Sequence, residues 1–203
     1  MDAKLTGNPG EGESGVSARR QSRILNLGSG ARPLPNAVNV DLVARTGPDV
    51  LHDLNVHPWP FDDSEFDEVV GYDVLEHIAD TVGFMQEVHR VARAGALVRL
   101  TVPHFSSGNA WRDPTHVRAF THDSLDYFTP THALRFYSQA SFARRSARII
   151  FRPSLANRLI GRLANRWPQI YEDRWAWIFP AWFIYFELCV LKDPSREDSP
   201  RRG

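Results

Sequence analysis

The segment Ile24-Leu25-Asn26-Leu27-Gly28-Ser29-Gly30 constrains this chain more than any other, because an apolar run of strand length empties directly into a turn with alternating glycines. Short apolar runs bounded by turn residues read as buried strands. Glycine lets the backbone turn sharply and come close to a ligand. Further short apolar runs lie at Val38 to Val40, Val50-Leu51, Phe66 to Tyr72 and Ala96 to Val102. Between the last two, Val82, Phe84-Met85, Val88 and Val91-Ala92 recur at helical spacing in the stretch Asp80 to Arg93. That stretch reads as a crossover helix, stopped by Ala94-Gly95. Strands alternating with helical patterns predict an α/β domain on a mostly parallel sheet with helices on both faces. The first crossover is short: Gly30 and Asp41 enclose ten residues, where a parallel connection usually needs a dozen or more. Pro33 and Pro35 resist a helix there, so a turn is expected in its place.

At 203 residues the chain suits one domain, expected over 21–192. Residues 1–20 contain Gly7-Asn8-Pro9-Gly10-Glu11-Gly12 and few large apolar groups, so a flexible arm is expected. A similar tail is expected over 193–203, with Pro194, Pro200, Arg201 and Arg202. The start lacks the apolar core of a secretory signal, which predicts a cytoplasmic location. Lys plus Arg and Asp plus Glu each number 24, so no global field draws the chain to nucleic acid or an anionic membrane. No arginine cluster resembles a nucleic-acid module. The single cysteine, Cys189, lies in the apolar run Trp182 to Leu191 and reads as a buried structural thiol. Trp175 to Leu191 is the most apolar stretch, yet it is shorter than the roughly 20 residues of a membrane span, and Pro180 and Glu187 interrupt it. It reads as a core strand after a proline turn, antiparallel at the end of the sheet. A peripheral membrane contact or a partner interface is the alternative.

The residues beyond the glycine turn give it meaning. Asp41, with Leu42 behind it, ends the second apolar segment, where a carboxylate can accept hydrogen bonds from a ribose diol. Asp53-Leu54 offers a polar and an apolar group to a purine ring. Phe66 to His77 runs strand, turn and helix start through Tyr72-Asp73-Val74-Leu75-Glu76-His77. Taken in order, these residues resemble the class I S-adenosylmethionine-dependent methyltransferases, from Ile24 to Phe105 and more loosely to Lys192. The resemblance implies a Rossmann-like domain with S-adenosylmethionine as cofactor. It implies that Gly28, Ser29 and Gly30 pass under the methionine moiety, Asp41 binds the ribose, Asp53 and Leu54 meet the adenine, and Tyr72, Asp73 and His77 flank the methionine and sulfonium. The sequence departs from the pattern at Asn26, where an acid is usual, and at Arg32, where a third glycine would fall. A dinucleotide site would need a glycine at Pro33 and a helix N-terminus behind it, so a nicotinamide-dependent oxidoreductase is the less favoured rival. Plain structural readings stand beside these: a mere turn for the glycines, a strand-end cap for Asp41, a helix start for Glu76-His77.

Pro103 to His116 leaves the carboxyl end of the Ala96 to Val102 strand at the same sheet edge, which makes it the acceptor side. His104 and His116 are the candidate base or acceptor-orienting group, with Asp113 as partner, because histidine exchanges protons near neutrality. His104, Asp113, His116 and His122 could instead ligate a metal, although their spacing fits no tight motif and no metal is assigned. Trp111, Phe120, Tyr127, Phe128 and Trp175 would form either an apolar wall or ordinary core. Arg144-Arg145-Ser146-Ala147-Arg148, with Arg152, Arg158, Arg162 and Arg166, would attract an anionic acceptor or form a solvated helix face. The expected activity is methyl transfer to an oxygen or nitrogen of a small molecule, in secondary-metabolite or glycan assembly. A catalytically silent, cofactor-binding partner protein docking through Trp175 to Leu191 is the alternative, and the oligomeric state is open.

Overall fold

The computed structural model describes residues 22–192; the arm and tail expected from the sequence lie outside these residues. Seven strands form one sheet: β1 (Ile24–Leu27), β2 (Ala37–Asp41), β3 (Val50–Leu51), β4 (Phe66–Tyr72), β5 (Ala92–Pro103), β6 (Phe142–Ile150) and β7 (Phe183–Val190). Their order is β3-β2-β1-β4-β5-β7-β6. The first five pair in parallel, and β7 runs antiparallel to both β5 and β6. The helices are α1 (Thr81–Val91), α2 (Asn109–Arg112), α3 (Leu155–Arg166) and α4 (Pro168–Arg174). None among the described residues is long and apolar enough to cross a membrane.

α1 is the predicted crossover helix. The Asp80 carboxylate caps it by accepting from the Gly83 N–H at 2.9 Å, and Phe84, Met85, Val88 and Val91 turn one fully buried face to the sheet. Its end differs from expectation. The chain is already extended at Ala92, and Ala94-Gly95 lies inside β5 rather than between helix and strand. Gly95 takes φ +78° where the register slips from Phe66–Ala92 to Glu68–Leu97, so the glycine makes a bulge rather than a helix stop.

The first crossover carries no helix, as its length and prolines required. Asn39 does the work of one. Its Oδ1 accepts from the Leu34 N–H and the Asn26 amide, and its Nδ2 donates to the carbonyls of Leu34 and Ala37 and to Asp49. Asn39 also holds the Asp49 carboxyl below its usual range, through its backbone amide first and its side chain second.

The C-terminal apolar stretch divides at Pro180. Beyond it β7 buries alternate residues, Ile184, Phe186, Leu188 and Val190. Cys189 falls on the other face, so it is half-buried rather than core, with its thiol 3.5 Å from the Gly95 carbonyl. Before Pro180, Trp177 and Ile178 stay exposed. The basic stretch Arg144 to Arg148 is not a helix face: it lies on edge strand β6, where Arg144 pairs with Asp123 and Asp126 and Arg148 stacks on Tyr185. Arg158, Arg162 and Arg166 are on α3.

Gly28 sits at φ +63°, and a Cβ on it would lie 2.6 Å from Val74 Cγ2. Gly28→Ala should therefore cost about 1–2 kcal/mol for the left-handed backbone and about 1–3 kcal/mol for overpacking, read by urea unfolding. Adding Val74→Ala should recover the second part alone.

Candidate active site

The parallel strands end at one edge, and the chemistry-bearing residues leave from there. β1 passes into the glycine turn, where the Gly30 N–H donates to Asp41 Oδ2 at 2.7 Å. The other oxygen of Asp41 accepts from the Val43 N–H at 2.8 Å. Both bonds fix the carboxylate at the end of β2 and leave lone pairs for further donors. Leu42 is exposed beside it, whereas Leu54 belongs to the core and carries the Trp59 indole on its carbonyl. Leu54, expected beside a purine, thus presents little side-chain surface. Asp53 folds back on Asn55, and Asn26, buried in β1, donates its amide to Asn39.

Beyond β4, Tyr72 is exposed and Asp73 adopts φ +59°. The Asp73 carboxylate accepts from Thr101 Oγ1 at 3.1 Å and meets Arg32 at 3.4 Å. A cavity of about 510 Å³ opens here, lined by Asp73, Glu76 and His77 from the β4 side and by Asn109, Arg112, Asp113 and His116 from the α2 segment. Phe183 supplies its aromatic wall. The expected wall is elsewhere: Phe120 and Phe128 are core, Trp111 is exposed with its indole on the Phe105 carbonyl, and none of Trp111, Phe120, Tyr127, Phe128 or Trp175 lines this cavity. A larger cavity of about 690 Å³ lies between β6 and α3, near Arg152, Arg158 and Arg162. No histidine or carboxylate lines it, so the arginines proposed for an anionic acceptor serve a different place.

The four histidines and acids considered as one set separate in the fold. His104 is 0% exposed and lines neither cavity. The Ser106 N–H donates to its Nδ1 at 3.1 Å, so Nε2 carries the proton and donates to Glu172 at 3.1 Å. That makes His104 a buried tie between β5 and α4 rather than a base. His122 is buried in the same region, its ring between Asp123 and the Ala147 carbonyl. Its backbone N–H donates to the same Glu172 oxygen as His104.

His116 and Asp113 do reach the cavity, and they meet two groups from the β4 side. His116 packs edge-on against His77 with ring centroids 4.7 Å apart. Its Nε2 stands 3.9 Å from Glu76 Oε1, too far for a hydrogen bond. Glu76 is 1% exposed, and neither carboxylate oxygen has a hydrogen-bond partner among the described residues. Burial pushes its carboxyl up to about 8, the charges of Asp73 and Asp113 add to the rise, and only its own backbone amide opposes it. Asp113 is held below its usual range by the Thr115 hydroxyl and N–H, with His116 and His77 adding smaller attractions. Sequence reasoning took Glu76 for a helix start. Its burial beside His116, forty residues on, follows only from the fold.

Residues 33–100 match the methyltransferase domain family. Solved structures share the fold at low identity. The YcgJ protein of Bacillus subtilis aligns with TM-score 0.57 and 17% identity over 87% of this chain and 94% of its own. A SAM-dependent methyltransferase from Archaeoglobus fulgidus gives 0.59 and 13% over 83% and 86%. Phosphoethanolamine N-methyltransferase 2 of Haemonchus contortus, solved with S-adenosyl-L-methionine, gives 0.52 and 12% over 84% and 49%. No curated protein matches the sequence. The fold is the Rossmann-like one of these solved methyltransferases. The family match over residues 33–100, about a third of the chain, and the shared fold agree with one another in pointing to SAM-dependent methyl transfer.

Removing the His104 ring takes from Glu172 one of its two donors, leaving the His122 N–H, and takes from Ser106 its ring partner, at the joint between β5 and α4. His104→Ala is expected to lower stability by about 2–4 kcal/mol in chemical denaturation, while affinity for S-adenosylhomocysteine stays unchanged. A loss of affinity without a loss of stability would return His104 to the active site.

Proposed function

We propose that this protein methylates an oxygen or nitrogen of a small-molecule acceptor held in the cavity between Asp73 and His116. The observation that carries the reading is the cavity itself. At about 510 Å³ it has the size of a small-ligand site, and it opens beside the glycine turn of the cofactor crevice, since Val74 next to Asp73 packs on Gly28. Gly28, Ser29, Gly30 and Asp41 hold the cofactor's methionine and ribose in this reading. Tyr72, Asp73 and His77 flank the sulfonium, whose positive charge the Asp73 carboxylate complements. Asp53 and Leu42 stand nearest the purine, and Asn26 acts from behind through Asn39.

The reaction needs little covalent help from the protein. The acceptor's lone pair forms a bond to the methyl carbon as the C–S bond breaks. Sulfur keeps that electron pair, and the product is S-adenosylhomocysteine. The acceptor's proton leaves to a base. Positioning supplies most of the rate, and His116, with Asp113 close by, is the group that meets the acceptor's nucleophilic atom. Arg112 at the rim favours an acceptor carrying an anionic or oxygen-rich group.

Calorimetry with S-adenosylmethionine and S-adenosylhomocysteine should show one site, weakened at least tenfold in Asp41→Ala, since each hydrogen bond to a charged group is worth about 1.5–3 kcal/mol. On a panel of hydroxyl- and amine-bearing acceptors, His116→Gln should lower kcat by about 10²–10⁴-fold with cofactor affinity intact. Cofactor binding without turnover on any acceptor would favour the silent partner protein instead.

A further inference from the structure

We propose that Glu76, His77 and His116 form a divalent-cation site at the floor of the acceptor cavity. One ligand atom from each lies within 4.8 Å of the others, and two independent features point to a ligand among them. The first is Glu76, 1% exposed with both carboxylate oxygens unpartnered among the described residues. A carboxyl kept out of water with neither oxygen partnered is satisfied by giving up its proton and binding a cation. The second is how the histidines are held. Thr115 Oγ1 gives its proton to Asp113 Oδ1 at 2.7 Å, so at 2.9 Å it accepts from His77 Nδ1. The Ala110 carbonyl, 3.3 Å from His116 Nδ1, takes the proton there. Each ring thus has one nitrogen held by an outer partner and the other left with a lone pair, the arrangement in which second-shell groups orient metal-binding histidines. Two imidazoles and one carboxylate suit a first-row cation with open coordination positions, and here those positions face the cavity. This deepens the methyl-transfer reading and rests on it for purpose: His116 meets the acceptor through a cation, which lowers the pKa of a bound hydroxyl and so favours an oxygen acceptor.

The test is calorimetric titration of EDTA-stripped protein with Zn²⁺, and with Co²⁺ followed by its visible absorption, with S-adenosylhomocysteine titrated into the same preparations. One equivalent should bind, weakened at least tenfold by Glu76→Gln and by His116→Ala, and about 10–100-fold by Thr115→Val, which removes only the outer partner. His132→Gln, outside the cluster, should bind as wild type. Glu76→Gln retains the shape of the side chain and cannot become an anion, so it should fold without supplying a cation ligand. Absence of saturable binding, or binding undiminished by both ligand variants, overturns the site. S-adenosylhomocysteine binding without metal binding sinks the cation site alone; metal binding without it sustains the site and sinks the methyl-transfer reading.

A different observation carries a second proposal. Leu155, Leu159 and Leu163 recur at every fourth position of α3, all exposed, beside a parallel row of Arg158, Arg162 and Arg166. No acidic residue lies on this helix. The stripe continues into an apolar groove of about 340 Å³ between α3 and α4, rimmed by Trp167 and Trp175. We infer that this face lies on an anionic lipid surface, because leucines flanked by arginines with tryptophans at the margin match the two halves of such an interface. β6 ends at the same sheet edge as β5, in register with Phe183 of the acceptor cavity, so a bilayer there borders the site. The protein should sediment with phosphatidylcholine vesicles containing phosphatidylglycerol and not with phosphatidylcholine alone. Leu159→Ser with Leu163→Ser should reduce the bound fraction at least tenfold, and salt should weaken binding. No vesicle binding, binding undiminished in the double variant, or a self-association that the variant abolishes in place of vesicle binding would overturn it.

Discussion

The contact between Gly28 and Val74 is the constraint on which the site depends. Leu27 and Gly71 are register partners on adjacent parallel strands, so the loops beyond them leave the sheet side by side. A side chain at position 28 would push those loops apart, because its Cβ would fall inside the van der Waals envelope of Val74. Without one they close into a single crevice. Asp41 then ties the near wall through the Gly30 N–H, and Asp73 ties the far wall through Thr101. The carboxylates of Asp41 and Asp73 are set by hydrogen bonds on either side of one close approach.

The same economy explains the departure at Asn26. A crossover without a helix leaves its backbone groups without helical partners, and Asn39 answers several of them at once. Its Oδ1 can do so only if the group facing it from β1 is a donor. An aspartate at position 26 would set oxygen against oxygen, whereas the Asn26 amide donates. The short crossover, the two asparagines and Asp49 are one solution, and the missing family acid is part of it.

What could be read from the sequence was what local chemistry decides. Phe66 to Tyr72 is a strand to the residue, because a buried central strand is largely apolar and is bounded by turn residues. The glycine turn and Asp41 were legible for the same reason. Edge strand β6 was not: only Phe142 and Ile149 are buried along it, so its arginines showed neither period clearly. Nor does a histidine's identity reveal which way the fold turns it. His104 and His116 have the same chemistry, and Glu172, sixty-eight residues beyond His104, decides that one is scaffold. Ala94-Gly95 carried a helix-stop signature that pairing with β4 converted into a bulge.

Two buried acid–histidine groups in this domain show how satisfaction separates scaffold from site. Glu172 accepts from His104 and from the His122 backbone, and both rings have partners on each nitrogen. Nothing in that cluster is left over, and it joins α4 to the sheet. Glu76 is more deeply buried than Glu172, but its histidines turn their donors toward Thr115 and Ala110. An unsatisfied buried polar group costs about 1–3 kcal/mol, more when charged, and a leucine would cost less. Local rules are broken in this way where a site requires it. The leftover valence of Glu76 lies against the cavity between Asp73 and His116 and not in the core, which places the deficit where a bound group can meet it.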